Sequence, residues 1–326
     1  PAVTAVLCAV VLVSGPPAEA KSPPTSDLMI WLMADAGVLN DFSAPASDGE
    51  GVFRWVAQAT GDGFNHDAEE PAFDPDSYPT FVASVPELAG QPALQFSVLE
   101  GQAGHRLEIF QEREEHRPGS DGYSVFVVGK IDDQDTTYSI LSKGNKTSDF
   151  EGYHLWTAAA NPDRDTDVFG PQGRPALFNY RLRGNNTDDK ATQRIRSDTA
   201  FHIFSMVLTG SEIVAYLDGF NDPAAPDDNI YQSPISNDTP IRIGQRDDND
   251  LPLNGFVAEV LIYDADLNAA GQRGNVEQYL SNKYEIPIVV PGDDRVWLRT
   301  GTGDWNASSW RFGDPPNSVD NNAIFG

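Results

Sequence analysis

The side chains that could do chemistry in this chain are carboxylates, a set of aromatics and a few arginines. Glu259 interrupts an otherwise apolar run, Gly255–Tyr263 (GFVAEVLIY). Buried there, a carboxylate could carry a raised pKa and act as an acid. A structural role is the expected one, with Arg242, Arg246 or backbone amides as partners, because a buried charge left unpaired is costly. Asp163-Arg164-Asp165-Thr166-Asp167 opens like an EF-hand. Val168 then stands where that loop needs glycine and Arg174 where it needs a bidentate glutamate, so the EF-hand is rejected. Asp247, Asp248 and Asp250 lie just ahead of the apolar run and are, as a group, the expected metal ligands, for Ca2+. Tyr153, Trp156, Tyr180, Arg181 and Arg183 are the expected ligand-binding residues, with His154 beside them. A pyranose face stacks on an aromatic ring while polar groups take its hydroxyls. On a strand Tyr153 and His154 face opposite ways, so only one side contributes, and Trp156 and Tyr180 fit an inner-sheet core equally well.

Other chemistries lack their residues. The five histidines form no H-x-x-H or H-E-x-x-H, and the one cysteine, Cys8, lies in an apolar N-terminal run, so zinc has no visible site. No serine sits in a G-x-S-x-G elbow and no glycine loop cradles phosphate. No catalytic residue is assigned.

The elements that must position these residues are mostly strands. Asn254–Ile286 reads as a long strand, covered on both faces, handed to the one convincing helix, in which Val276, Tyr279, Leu280, Lys283 and Tyr284 recur at three- and four-residue spacing. Asn268 is the expected N-cap. Upstream, Leu28–Met33, Gln91–Phe96, Arg106–Phe110, Tyr123–Ile131, Thr137–Gly144, Gly152–Ala159, Ala176–Arg183, Phe201–Gly210, Ser211–Gly219 and Pro240–Arg246 are short runs rich in β-branched or aromatic residues and bounded by turn formers. That spacing predicts a sandwich or barrel. The segment from Asn40 to about Leu88 reads as loop, with Pro71, Pro75, Pro79 and Pro86 forbidding a continuous helix.

With 326 residues, 40% of them hydrophobic, the chain can bury a large core. Its 49 acidic residues against 22 basic give a net charge of −27. Nucleic acid is therefore not an expected partner, since its binders show a basic footprint. The acids include 34 Asp, which fit carboxylate-rich turns, solvated or calcium-binding. Ala2–Val13 followed by Ala18-Glu19-Ala20 reads as the apolar core and A-x-A cleavage site of an export signal, with cleavage after Ala20 and a secreted or cell-surface destination. The run is shorter than the roughly 20 residues a membrane helix needs, and no later stretch supplies a transmembrane segment for the mature chain. The chain is expected to be a fragment at both ends.

The pieces WLMADAGV (Trp31–Val38), GQPALQF (Gly90–Phe96), YSVFVVGK (Tyr123–Lys130), ILSKG (Ile140–Gly144), VAYLDG (Val214–Gly219), IRIGQR (Ile241–Arg246) and GFVAEVLIYDADLNAAGQRGNVEQYLSNKYEI (Gly255–Ile286) resemble, in order, the LamG-like, concanavalin A-like lectin/glucanase domains of exported bacterial proteins. The resemblance covers about residues 28–286 and implies an all-β jelly-roll sandwich of two antiparallel sheets with one C-terminal helix packed on it. It also implies a concave face and rim loops open to ligands. Gly271 and Gly274 depart from the family, which carries charged helix formers there, and the loop Glu50–Glu70 is unusual. Glucanases of this fold place their acids as E-x-D-x-x-E, which alternation brings to one sheet face. No such stretch exists here; the densest glutamates, Glu108, Glu112, Glu114 and Glu115 (EIFQEREE), read as a polar edge before the turn at Pro118-Gly119. The tail, VWLRTGTGDWNASSWRFGDPPNSVDNNAIFG, is similar to the opening of Trp/Asn-rich repeats of autotransporter-like surface proteins.

The expected organisation is a leader (1–20), a linker (21–27), the sandwich (28–286), a second linker (287–292) and the start of a truncated β-repeat module (293–326). The expected function is non-catalytic recognition of carbohydrate or an extracellular protein through rim loops, calcium-dependent or not. A glycoside hydrolase with an unrecognised carboxylate pair and a structural or adhesive spacer are the alternatives.

Overall fold

β-Branched and aromatic runs closed by turn residues favour strands, and the computed structural model of the chain is built almost wholly from them. The structure describes residues 22–59, 65–98, 104–110, 122–133, 136–145, 151–158, 177–183, 190–196, 198–209, 212–221, 226–227, 239–246, 251–288, 295–297 and 323–325. In chain order the strands are β1 (Leu28–Met33), β2 (Val38–Leu39), β3 (Arg54–Trp55), β4 (Ala68–Glu69), β5 (Thr80–Val82), β6 (Ala93–Phe96), β7 (Leu107–Ile109), β8 (Tyr123–Ile131), β9 (Tyr138–Asn145), β10 (Glu151–Ala158), β11 (Leu177–Arg183), β12 (Lys190–Arg196), β13 (His202–Thr209), β14 (Glu212–Leu217), β15 (Pro226–Asp227), β16 (Ile241–Ile243) and β17 (Gly255–Tyr263). The helix α1 (Arg273–Tyr284) follows, and β18 (Arg295–Trp297) pairs in parallel with β19 (Ala323–Phe325) in the tail. The expected leader lies outside the described residues.

β1 to β17 form two antiparallel sheets. The seven-stranded sheet runs β14-β13-β8-β17-β6-β5, with β1 also on β17. β17 is its spine: β8 lines one edge along its length, while β6 and β1 share the other edge end to end. The ten-stranded sheet runs β15-β12-β11-β10-β9-β16-β7-β4-β3-β2. One core fills the space between them, with Ile30, Val127, Phe204 and Val260 from the first sheet meeting Leu107, Leu141, Leu155 and Ile243 from the second. The all-β sandwich with one packed helix is thus what the sequence forms.

A second core lies on the opposite face of the seven-stranded sheet. Val276, Tyr279, Leu280 and Tyr284 of α1 pack there on Phe126, Ile203, Ala258 and Leu261. Burying such a Val or Leu contributes about 1.5–3 kcal/mol each, which holds a helix that Gly274 weakens. Strands β8, β13 and β17 are therefore covered on both faces, as their near-continuous apolar runs require. The helix starts later than Asn268. Asp266 Oδ1 accepts from the amides of Asn268 and Ala269, at 2.9 and 3.0 Å, and closes a turn there; Gln272 precedes the helix without a side-chain cap.

A β-bulge decides where Glu259 goes. Val257 pairs with Gly129 and Glu259 with Val128, leaving Ala258 as an extra residue. Val257 and Val260 keep to the inter-sheet core, while Ala258 and Glu259 both turn to the helix side. The fully buried carboxylate accepts four donors. Trp31 Nε1 (2.7 Å) and the Tyr279 hydroxyl (2.9 Å) reach Oε1; Lys283 Nζ (2.8 Å) and the Tyr284 hydroxyl (2.7 Å) reach Oε2. That matches the lone-pair capacity of a carboxylate. Burial, and then the Glu259 charge, push the two tyrosine hydroxyls well above their usual range, so both remain donors. The expected arginine partners are corrected by this geometry: Arg242 belongs to the other sheet, 2.8 Å from Glu108, and Lys283 takes the place assigned to it.

Removing the carboxylate takes the acceptor from Trp31, Tyr279 and Tyr284 and leaves Lys283 with Asp35 as its remaining carboxylate. Glu259→Ala should cost about 3–5 kcal/mol, and Tyr284→Phe about 1.5–3 kcal/mol as a lost hydrogen bond to a charge. Urea unfolding checks both through the midpoint at unchanged slope; a Glu259→Ala midpoint equal to the parent's contradicts the anchoring role.

Candidate functional site

Strand alternation gives each sheet two faces, and the ten-stranded sheet uses its outer one for polar residues. Trp55, Ala68, Leu107, Ile109, Ile241, Ile243, Leu141, Tyr153 and Leu155 enter the core. The positions between them form a continuous row: Arg54 lies opposite Glu69, Glu69 opposite Glu108, Glu108 opposite Arg242, Arg242 opposite Ser142, and Ser142 opposite His154. Such neighbours across a ladder are the pairs that interact. The register continues from His154 to Arg181, Thr192 and Asp227.

The first half of the row is a network of buried charges. Arg242 Nε lies 2.8 Å from Glu108 Oε1, Arg106 Nε 3.6 Å from the same oxygen, and Arg106 Nη2 3.7 Å from Glu70 Oε1. Arg106 Nη1 donates to Gln245 Oε1 at 3.3 Å. Glu70 Oε2 accepts from the amides of Ala72 (2.9 Å) and Asp74 (3.0 Å) and so fixes the following loop. The Gln245 Nε2 donor is buried without a hydrogen-bond partner. Burial raises the Glu108 pKa; Arg242 and Arg106 oppose this and Glu70 adds to it. At the sheet edge Arg54 is bound to Asp67 and lies 3.1 Å from Glu69.

The second half is aromatic. His154 Nε2 is 2.9 Å from Ser139 Oγ, and the Trp156 ring stacks on the imidazole at 4.6 Å and 17°. Trp156 is half-buried. Tyr153 must be withdrawn from the ligand-binding set, because alternation sends it into the core, where its hydroxyl lies 3.3 Å from that of Tyr123. Register places Arg181 opposite His154, Tyr180 opposite Leu155 and Arg183 opposite Gly152; their side chains lie outside the described residues. Asp247, Asp248 and Asp250 also lie outside them, as do Asp163, Asp165, Asp167, Glu112, Glu114 and Glu115. Among the described residues no three His, Cys, Asp or Glu side chains assemble as metal ligands, and no helix is long and apolar enough to cross a membrane.

The Glu108 network is absent from the sequence-derived set because its members come from three separate stretches of the chain, Glu70, Arg106–Glu108 and Arg242–Gln245. A signal does exist: Arg242 stands between Ile241 and Ile243, and Glu108 between Leu107 and Ile109. A charge between two core positions of a strand marks a polar opposite face.

No family model matches the chain, and no curated protein matches it. Similar solved structures include the binding domain of botulinum neurotoxin serotype G, with a TM-score of 0.49 and 10% identity over 77% of this chain and 50% of that one. The binding domain of botulinum neurotoxin DC in complex with SialylT gives 0.45 and 12%, over 80% and 52%. The CBM40 of the Ruminococcus gnavus IT-sialidase bound to α2,3-sialyllactose gives 0.35 and 12%, over 49% and 84%. The chain spans about half the length of the two toxin domains. Likeness at this level says nothing of what the chain binds, and the sandwich stands on its own strand pairings.

Glu108 gives the network a pH signature. Its folded pKa lies above the ordinary 4.5, so folding favours the protonated form: that stabilisation is present below the unfolded pKa and is lost as pH rises through the folded one. Urea unfolding of the parent and Glu108→Gln across pH 4 to 7 should show the parent's advantage over the variant shrinking as pH rises. An advantage that grows with pH would mean the arginines dominate burial.

Proposed function

We propose that this chain is a non-catalytic recognition module that binds carbohydrate on the outer face of its ten-stranded sheet. The observation that carries the reading is the Trp156 ring, stacked on His154, on a face that α1 does not cover. A ring locked by a neighbouring imidazole, itself held at Ser139, loses little freedom when a sugar stacks on it. The neighbouring Ser142 and Arg242 are committed within the fold, Ser142 to the Gln245 carbonyl and Arg242 to Glu108 and the Arg246 carbonyl, so the reading rests on the ring.

The finer parts of the proposal are a LamG-like class of sandwich, supported by the Gly255–Ile286 segment, and an exported protein, supported by the apolar run before Ala20. Calcium would enter through Asp247, Asp248 and Asp250. The non-catalytic reading is supported by Glu70, whose Oε2 is committed to backbone amides and so makes a poor partner for Glu108 in a hydrolytic pair.

A glycan array followed by calorimetry tests the reading. Trp156→Ala should lower affinity about tenfold or more, and Trp156→Phe should keep most of it. Binding without new reducing ends is the expected result; reducing ends would establish the hydrolase. No retained glycan leaves a structural spacer. EDTA should weaken retention and calcium restore it; indifference to EDTA removes the metal and leaves the sugar.

A further inference from the structure

Large apolar side chains left in water mark contact surfaces when they gather, and the two most exposed among the described residues lie on adjoining loops. Phe42 is 83% exposed and Phe73 71%. Phe42 follows β2 and Phe73 follows β4, and Phe53 joins their loops: its amide donates to the Leu39 carbonyl and its carbonyl accepts from the Glu70 amide, both at 3.0 Å. The Phe53 ring meets Phe73 at 4.9 Å and 30°, and Tyr78 at 5.9 Å and 53°. These rings belong to the β2–β4 end of the ten-stranded sheet. β3, beside Phe53, is five strands from β10, which at the usual strand spacing puts it about 24 Å from Trp156.

Both exposed rings are held in place by their loops. Glu70 Oε2 accepts from the amides on either side of Phe73, those of Ala72 and Asp74, and Glu70 is itself buried beside Arg106. Asn40 Oδ1 accepts from the amides of Phe42 and Ala44, both at 3.1 Å. Phe73 keeps a φ of 53°, a left-handed backbone that bulky residues rarely adopt. A side chain fixed in water in this way loses little freedom when a partner covers it. The charge around the rings is of one sign. Asp41, Asp48, Glu50, Asp74 and Asp76 are exposed on the two loops. From Asp35 to His105 the only Lys or Arg is Arg54, which is bound to Asp67 and lies 3.1 Å from Glu69. Burial raises the Tyr78 pKa and the charges of Asp41, Glu70 and Asp74 add to it, so carboxylates of both loops stand close to the rings.

We infer that this patch docks an arginine-bearing segment of another protein, with a guanidinium on the Phe73 ring and the loop carboxylates around it. A guanidinium answers both features of the patch, because it stacks flat on an aromatic face and pairs with carboxylates. A second copy of this chain would bring acid against acid, and a phosphate- or sulfate-bearing ligand meets the same repulsion. A neutral sugar would use the ring and leave the charge unanswered. The net charge of −27 also steers a basic partner toward the chain. The inference stands apart from the carbohydrate reading at Trp156 and does not depend on it.

The test uses the full chain and a fluorescein-labelled peptide of four Arg-Gly-Leu repeats, beside its citrulline counterpart, which keeps the shape and removes the charge. Fluorescence anisotropy at about 20 and about 300 mM NaCl should show the arginine peptide binding about tenfold or more tighter than the citrulline one at low salt, with the gap narrowing at high salt. Phe73→Ser should weaken the arginine peptide about tenfold at either salt, and Phe42→Ser, on the other loop, should weaken it as well. Asp41→Asn/Asp76→Asn should remove most of the low-salt gap. Glu87→Gln/Glu285→Gln, which takes away the same charge elsewhere on the chain, should leave it in place. A citrulline peptide that binds as well as the arginine one overturns the inference, as does binding that neither phenylalanine change disturbs. A remote pair that matches the loop pair also overturns it, since attraction would then follow net charge alone. Retention on phosphatidylcholine vesicles that Phe73→Ser abolishes, without peptide binding, would make the patch a membrane contact. A glycan that Phe73→Ser releases and Trp156→Ala spares would make it a sugar site, and either outcome overturns the peptide assignment.

Discussion

The sandwich depends on one buried carboxylate. Glu259 sits in the strand with the most sheet partners and accepts from β1 through Trp31 and from α1 through Tyr279, Lys283 and Tyr284. A carboxylate in that position is costly unless every lone pair is met, so its donors must all arrive together. Helix, first strand and spine strand are thereby fixed in one arrangement. Lys283 extends the link to Asp35, in the turn after β1, at 2.9 Å. The bulge at Ala258 makes this possible, because an unbroken ladder would put Glu259 on the other face.

Closing one outer face determines what the other can do. The seven-stranded sheet packs one hydrophobic core against each side, and α1 covers its outer one. The ten-stranded sheet has a dry inner face and an outer face of arginines, glutamates, serine, histidine and tryptophan. A recognition surface built on paired strands is held more rigidly than one on loops, and the stack of Trp156 on His154 shows the same rigidity at side-chain scale. The buried Glu108 network extends that order toward the sheet edge, where Glu70 also holds the loop at Ala72 and Asp74.

Much of this was legible from residue order, and the gaps have physical causes. Tyr123–Ile131 and Gly255–Tyr263 read as strands with the bounds they take, because strands buried on both faces leave long apolar runs. The parity of Tyr153 against His154 separates the inter-sheet face from the opposite one, although it does not say which is which. Lys190–Arg196 did not read as a strand: alternate bases interleaved with Ala191, Gln193 and Ile195 leave too little apolar signal. The partners of Glu259 were misassigned because a bulge changes parity without altering composition, and the nearest cations in the strand pattern, Arg242 and Arg246, lie in or beside the opposite sheet. Asn268 looked like a cap because its type is right. Asp266 was already bonded to the amides there, so the helix starts a turn later. The Glu108 network requires two strands and three loop residues to meet, which no local pattern encodes.

The central claim is that ligand meets the outer face of the ten-stranded sheet at Trp156. Indole N–H resonances of the six tryptophans, assigned by single substitutions and followed by NMR during titration with a retained oligosaccharide, test it most directly. The Trp156 signal should shift in proportion to saturation. Trp31, bonded to Glu259 beneath the helix, and Trp55, bonded to the Met33 carbonyl in the core, should stay in place. A ligand that saturates the protein while the Trp156 signal remains still would contradict the claim.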